Sequence, residues 1–304
     1  MLFDEQVFRM AVKKLTAEGN RDAVEDYLLS EFWRLEEGDI AVADSCCCGK
    51  SACRLEEEDI AWQRNRLQGQ IIVGSDSYPP YVYLDNNGDP IGIDVDIAEE
   101  AFRRMGYQAV FKTIDWEQKN NLLESGEIDC VWGCFSMAGR EQQYQWAGPY
   151  MLSRQVIAVN ANSGIYTWDD LAGKTVAVQS TGKPEELFLS GKYSGFPDFS
   201  EVISVEERDV QYAALDCGYV DAIAAHEIAI RQYIEDYETN FRVLEKPVLV
   251  TGIGVAFDKQ DERGLAQQLT DVFKQMRQDG TMKEIAGRYL NDPETLLEVD
   301  ELEQ

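Results

Sequence analysis

From Gln70 onward the chain alternates short β-rich runs with amphipathic helical runs, and this rhythm limits the possible folds more than any other feature. IIVGSD, QAVFKTI and IDCVWG read as strands, separated by the helical runs DIAEEAFRRMGY and WEQKNNLLESG. A second series follows, with strands in KTVAVQ, EVISV and DAIAA and helices in PEELFLSG, RDVQYAALDCG and HEIAIRQYI. Crossovers of this length predict a largely parallel sheet covered by helices. Two long apolar segments, MLSRQVIAVN and LVTGIGVAF, stand at the junctions of the two series. Each is long enough to cross between lobes. The expected architecture is therefore α/β and two-lobed, with a discontinuous first lobe. Residues 70–153 and 250–291 would form lobe one, 155–249 lobe two, and 292–304 an acidic tail.

The first 66 residues follow a different pattern. Phe3, Val7, Ala11 and Leu15 recur at four-residue spacing, as do Val24, Leu28 and Phe32, followed by Leu35. Such stripes predict a helical hairpin with a buried face. Gly, Asp, Ser and the run from Cys46 to Cys53 then interrupt it. Three adjacent cysteines cannot all turn to one ion without strain, so incidental loop thiols are the reading adopted, with no metal and no cofactor. Seven cysteines without regular spacing argue against a disulfide framework.

The formal net charge is −28, of which residues 1–69 supply only −6, so the acidity belongs to the main body. Such a surface repels phosphate backbones and anionic lipid, so no nucleic-acid partner is expected and a membrane surface is a poor one. The opening MLFDEQVFRMAVKKL carries no apolar run of signal-peptide type, so the sequence as written reads as cytoplasmic.

In α/β sheets, ligands bind where strand carboxyl ends meet helix amino ends. Three loops have that position. Gly74-Ser-Asp-Ser-Tyr-Pro-Pro-Tyr81 brings Asp76 and Tyr78 to the sheet edge, stiffened by proline. Gly133-Cys-Phe-Ser-Met-Ala-Gly-Arg140 offers Phe135, a Ser136 hydroxyl and an Arg140 fork suited to bidentate capture of a carboxylate. Gln179-Ser-Thr-Gly-Lys-Pro-Glu-Glu186 reads as a helix start, where Thr181 and Gly182 would hold unpaired N–H donors. Each residue also has a plain structural reading, as a helix-start arginine, an N-cap hydroxyl or a core aromatic.

These segments resemble the bacterial polar-amino-acid solute-binding proteins of ABC importers. The resemblance runs from GSDSYPPYVYLDNNGDPIGIDVDIAEEAFRRMGY through WEQKNNLLESGEIDCVWGCFSMAGREQQYQWAGPYMLSRQVIAV and DLAGKTVAVQSTG to MRQDGTMKEIAGRYL. It covers about residues 70–291. It implies that Arg140, Ser136 and Thr181 hold a ligand carboxylate, that Tyr78 covers the ligand, that Asp76 lies near its side chain and that Trp116 walls the pocket. Where the family carries a carboxylate for the ligand's α-amino group, this chain has His226. Glu227 is adjacent and is the alternative if the register slips by one. The resemblance further implies an extracytoplasmic location and an ABC permease as partner.

The function expected is closure of two lobes around a small carboxylate-bearing ligand, with an amino acid favoured, for uptake or sensing. No catalytic residue is assigned. The rival readings are a dehydratase-like enzyme on the same fold, with His226 and Glu227 as its only acid–base pair, and a cytoplasmic metabolite-sensing module. In that second rival the N-terminal helices would bind an unknown partner.

Overall fold

The computed structural model describes residues 69–191 and 193–299. The expected N-terminal helical hairpin and the Cys46–Cys53 segment lie outside the described residues.

The strands are β1 (Gln70–Ser75), β2 (Tyr83–Leu84), β3 (Pro90–Ile91), β4 (Gln108–Thr113), β5 (Cys130–Ser136) and β6 (Gln145–Asn160). They continue with β7 (Thr175–Gln179), β8 (Glu201–Val205), β9 (Ala222–His226), β10 (Phe241–Val243) and β11 (Leu249–Phe257). The helices are α1 (Ile93–Met105), α2 (Lys119–Ser125), α3 (Lys183–Leu189), α4 (Arg208–Asp216), α5 (Glu227–Tyr237), α6 (Leu265–Gln278), α7 (Thr281–Ala286) and α8 (Glu294–Leu297).

The βα rhythm is realised as read. β4, β1 and β5 pair in parallel at one end of the sheet, and β9, β7 and β8 pair in parallel at the other. Between them β11 and β6 run antiparallel. Every residue of β5 and of β9 is buried, as expected of central strands covered on both faces. Two separate sheets would follow from two separate lobes; instead the hydrogen-bonded path is continuous, in the order β4-β1-β5-β11-β6-β9-β7-β8. The reason lies in β6. Its residues 145–155 pair β11, whereas residues 155–160 pair β9 and β10, so one sixteen-residue strand serves both lobes. Gln155 is the residue where the partners change.

The cores divide at the same place. One apolar cluster draws on Ile71–Met151 and Ile253–Ile285, joined from the intervening chain by Ala229 and the partly buried Ile228. Two others draw on residues between Val156 and Leu244.

Helix α1 illustrates the local logic. Ile93, Ile97, Ala98, Ala101 and Phe102 face the core, acids open the helix, Arg103 and Arg104 close it, and Gly106 ends it in the left-handed conformation. At its start Gly92 has φ 131°, and a Cβ there would lie 2.2 Å from the Tyr81 carbonyl oxygen, so only glycine fits. The expected acidic tail is partly corrected: α8 packs Leu296 and Leu297 on the first core, because these leucines give a short stretch an apolar face.

Candidate functional site

A cleft enclosing about 370 Å³, mouth included, lies where the strand carboxyl ends of the two halves face each other. Phe135, Ser136 and Arg140 come from the end of β5 and its following loop, and Trp116 from a single turn after β4. Gln179, Gly182 and Lys183 enter from the β7–α3 connection, Arg208 from the start of α4, His226 from the end of β9, and Gln155 from the strand shared by both halves.

Arg140 is buried, and its Nη2 lies 3.2 Å from the Thr181 carbonyl oxygen and 3.4 Å from Glu186 Oε2. Burial pushes its pKa down, with Glu186 opposing only in part. Ser136 Oγ is buried beside it without a hydrogen-bond partner among the described residues. A buried guanidinium short of countercharge next to an orphaned hydroxyl is the arrangement that a ligand carboxylate completes. Its footing is firm. Asp94, in the first turn of α1, accepts hydrogen bonds from the Cys134 backbone N–H at 2.8 Å and from the Tyr150 hydroxyl at 2.9 Å. Cys134 thereby holds φ 51°, a conformation costly for a side-chain-bearing residue, just before Phe135 and Ser136.

The β7–α3 loop departs from expectation. Thr181 N–H is taken by Glu185 Oε2 at 2.6 Å, and Gly182 N–H by the Gln179 carbonyl at 3.1 Å. The two N–H groups read as free donors are therefore satisfied, because Glu185 sits four residues on and reaches back as a cap. Thr181 takes part through its other atoms. Its carbonyl receives Arg140, and its Oγ1 receives Lys119 Nζ at 2.7 Å. Glu117 and Ser180 also hydrogen-bond across the cleft mouth.

Asp76 and Tyr78 are near the cleft, but a residue missed in the sequence covers them. Arg208 donates from Nε to Asp76 Oδ2 at 2.9 Å and lies flat over the Tyr78 ring, 3.4 Å from its centre. Gln179 Nε2 reaches the same Asp76 oxygen at 2.8 Å. Burial alone would lower the Arg208 pKa, but the Asp76 carboxylate together with Tyr78 and Tyr212 outweighs it and the net shift is upward. A signal for Arg208 was present in the sequence. It opens a helix directly after a parallel strand, where the helix dipole disfavours a cation and a ligand-facing reason is needed.

His226 is buried in the cleft wall, with Nδ1 2.6 Å from Ser153 Oγ and Nε2 2.6 Å from Gln155 Nε2. Burial, reinforced by Arg208 and Arg140, holds its pKa well below the usual value, so the ring is neutral. Glu227 does not join it. Its carboxylate turns to Arg231 at 2.6 Å and Arg154 at 3.3 Å, since the first helical residue after the strand points out of the cleft. Trp116 and Phe135 pack edge to face at 5.2 Å and form an aromatic wall. Among the described residues no group of three His, Cys, Asp or Glu side chains is placed to hold a metal, and no helix is long and apolar enough to cross a membrane.

A two-lobed α/β fold whose facing strand ends enclose a polar, aromatic-walled cleft defines a solute-binding module. The chain belongs to the bacterial extracellular solute-binding proteins, family 3, whose model matches residues 71–292. It is 26% identical over 226 residues to the L-cystine-binding protein TcyJ of Escherichia coli K12, covering 73% of this chain and 83% of that one. It is 28% identical over 231 residues to the histidine-binding periplasmic protein of the same strain, covering 73% and 87%. Among solved structures, the substrate-binding protein of an amino acid ABC transporter superposes with a TM-score of 0.66 at 25% identity, covering 74% of this chain and all of that one. These relatives are binding proteins by name.

Proposed function

We propose that this chain captures a small carboxylate-bearing solute of amino-acid size by closing two lobes over it, outside the cytoplasm, and presents it to an ABC permease. The observation that carries the reading is Arg140, buried and undercompensated, beside the orphaned Ser136 hydroxyl. Residues 70–153 with 250–291 act as one lobe and 155–249 as the other, pivoting where β6 changes partners at Gln155. Hydrogen bonds from Lys119 to Thr181, from Arg140 to Thr181 and from Gln179 to Asp76 span the two and latch the closed form. Ten residues were expected to contact the ligand. The geometry supports Trp116, Phe135, Ser136, Arg140, Gly182 and His226 as direct lining, Thr181 as the latch, and Asp76 and Tyr78 as the support of Arg208. Glu227 keeps no ligand role.

The protein binds without turnover in this reading. Cys134 is driven well above the ordinary thiol range by burial and by Asp94, so it supplies no thiolate at neutral pH. His226 has both ring nitrogens held in hydrogen bonds, to Ser153 and to Gln155, which leaves neither free to act on a substrate. The test is calorimetric titration of the full chain with amino acids and small organic acids, alongside a turnover assay with prephenate. Saturable binding lost in Arg140→Ala, with no product formed, supports the proposal. Unchanged binding in Arg140→Ala overturns the pocket, and product formation overturns the non-catalytic reading.

A further inference from the structure

The charge on the cleft wall runs against the rest of the molecule. Of 304 residues, 56 are acidic and 28 basic, yet among the described residues the lining includes Arg140, Lys183 and Arg208 and not one carboxylate. Lys119 stands just behind, buried, with its pKa pulled down to about 8 by burial and by repulsion from Arg140. Lys119, Lys183 and Arg208 are each the first residue of their helices, the end where the dipole makes a cation least welcome. The acids around the wall each hold a protein partner through at least one oxygen. Asp76 is taken by Arg208 and Gln179, Glu186 is shared by Arg140 and Lys183, Glu185 holds Thr181 N–H, and Glu117 holds Ser180. The other oxygen of Asp76, Oδ1, is buried without a hydrogen-bond partner among the described residues, 3.7 Å from where a Cβ on Gly133 would stand, and Asp76 is not among the described wall residues.

A ligand ammonium would therefore meet cations and neutral groups on the described wall, and the unpartnered Asp76 Oδ1 belongs to a carboxylate already paired with Arg208. The neutral His226 offers it no charge, and the His226 contact decides what Gln155 shows the cleft. Two nitrogens 2.6 Å apart, with the Gln155 amide oxygen otherwise orphaned, are satisfied when that oxygen turns to accept from Nε2–H. Ser153 then donates to Nδ1, and the Gln155 amide presents its N–H groups to the ligand. One guanidinium group lies against each ring of the aromatic wall. Arg140 lies 5.1 Å from the Phe135 ring centre, and Arg208 lies 5.9 Å from that of Trp116. Among the described residues Arg208 spends only its Nε on Asp76, which leaves its terminal fork facing the space.

We propose that the preferred ligand is a small dicarboxylate without an ammonium group, one carboxylate held by Arg140 and Ser136 and the other met by the free fork of Arg208. This rests on the binding reading above and narrows it. Two charged groups buried together need opposite charge to offset their desolvation, and a dianion supplies it where a zwitterion does not.

The test is titration of the full chain with matched probes: glutarate, 2-oxoglutarate, L-glutamate, L-glutamine, L-histidine and butyrate. Glutarate or 2-oxoglutarate should bind at least about tenfold tighter than L-glutamate and than butyrate, the scale set by one charge-assisted hydrogen bond. Arg208→Gln should erase the advantage of glutarate over butyrate, bringing the two affinities to within about threefold of each other. Should Arg208→Gln fail to fold, Arg208→Lys and the wild-type ranking decide. His226→Asp should reverse the order of glutarate and L-glutamate by supplying the missing countercharge. A wild-type protein that binds L-glutamate, L-glutamine or L-histidine more tightly than glutarate overturns this inference and leaves the binding function standing. A folded wild type that binds none of the probes overturns both.

Discussion

The two arginines at the ends of the cleft carry the same charge and live under opposite conditions. Arg140 reaches a carboxylate only at 3.4 Å and a carbonyl at 3.2 Å, and its pKa is depressed by burial. Arg208 has Asp76 at 2.9 Å and the face of Tyr78 at 3.4 Å, and its pKa is raised. The first is a buried charge waiting for a partner, and the second is already fixed by one. In a site that must both capture and orient, an underpaired group supplies affinity and a well-held group supplies shape.

The largest effect should come from the underpaired end. Arg140→Ala is expected to weaken binding at least about 100-fold, and Arg140→Lys about tenfold, since a point charge cannot reproduce a fork. Thermal melts of both variants should stay near wild type, because the side chain serves the ligand more than the core. A collapse of the melt in Arg140→Ala would erase the contrast between the two ends.

A pH effect comes next, through the support of that end. Asp94 has its pKa raised from 3.8 to about 7, chiefly by burial. Between those values the folded protein keeps a proton that the unfolded chain releases. Stability should therefore fall as pH rises through that window, and the fall should end above about pH 7. Asp94→Asn should remove that slope, worth on the order of 1–3 kcal/mol. Denaturant midpoints at several pH values, compared with wild type, check it; an identical slope in the variant would assign the dependence to other groups. His226, depressed by burial, acts with the opposite sign. It costs stability as pH falls below about 6.5, where the unfolded ring protonates and the folded one does not.

A smaller effect is expected at Glu186, the only carboxylate that competes for Arg140 among the described residues. Glu186→Gln should tighten ligand binding by about twofold to fivefold, as befits a partly exposed ion pair. Weaker binding would mean that Glu186 positions Arg140 more than it competes for it. The smallest effect should follow removal of residues 1–66. The described cleft-lining residues lie between Trp116 and His226, so affinity should stay within about twofold while the remainder folds. Loss of binding by a folded truncation would show that a third region takes part.

The legibility of the site divides along the same line. Arg140 and Ser136 were visible because a loop that follows an all-apolar strand and carries a hydroxyl and an arginine has few other uses. Trp116 and Phe135 were visible as aromatics at the same sheet edge. Arg208 was passed over despite its place at a helix start, because its partners Asp76 and Tyr78 lie 132 and 130 residues away and no local pattern shows that the three meet. Glu227 was misjudged for a related reason. Only one residue separates a side chain that enters the cleft from one that leaves it, and strand-to-helix register decides which.

By itself the sequence determined the βα order, the lengths of the crossovers and the fully apolar central strands, because periodicity and burial are properties of neighbours along the chain. It also determined which loops would stand at the strand carboxyl ends. Tertiary structure alone decided that β6 would knit both halves into one continuous ladder. It decided, too, that Glu185 would consume the N–H of Thr181, and that the wall of a strongly acidic protein would be lined with cations. Those outcomes depend on which distant groups pair first, and pairing between distant groups is a matter of three-dimensional distance that no local pattern encodes.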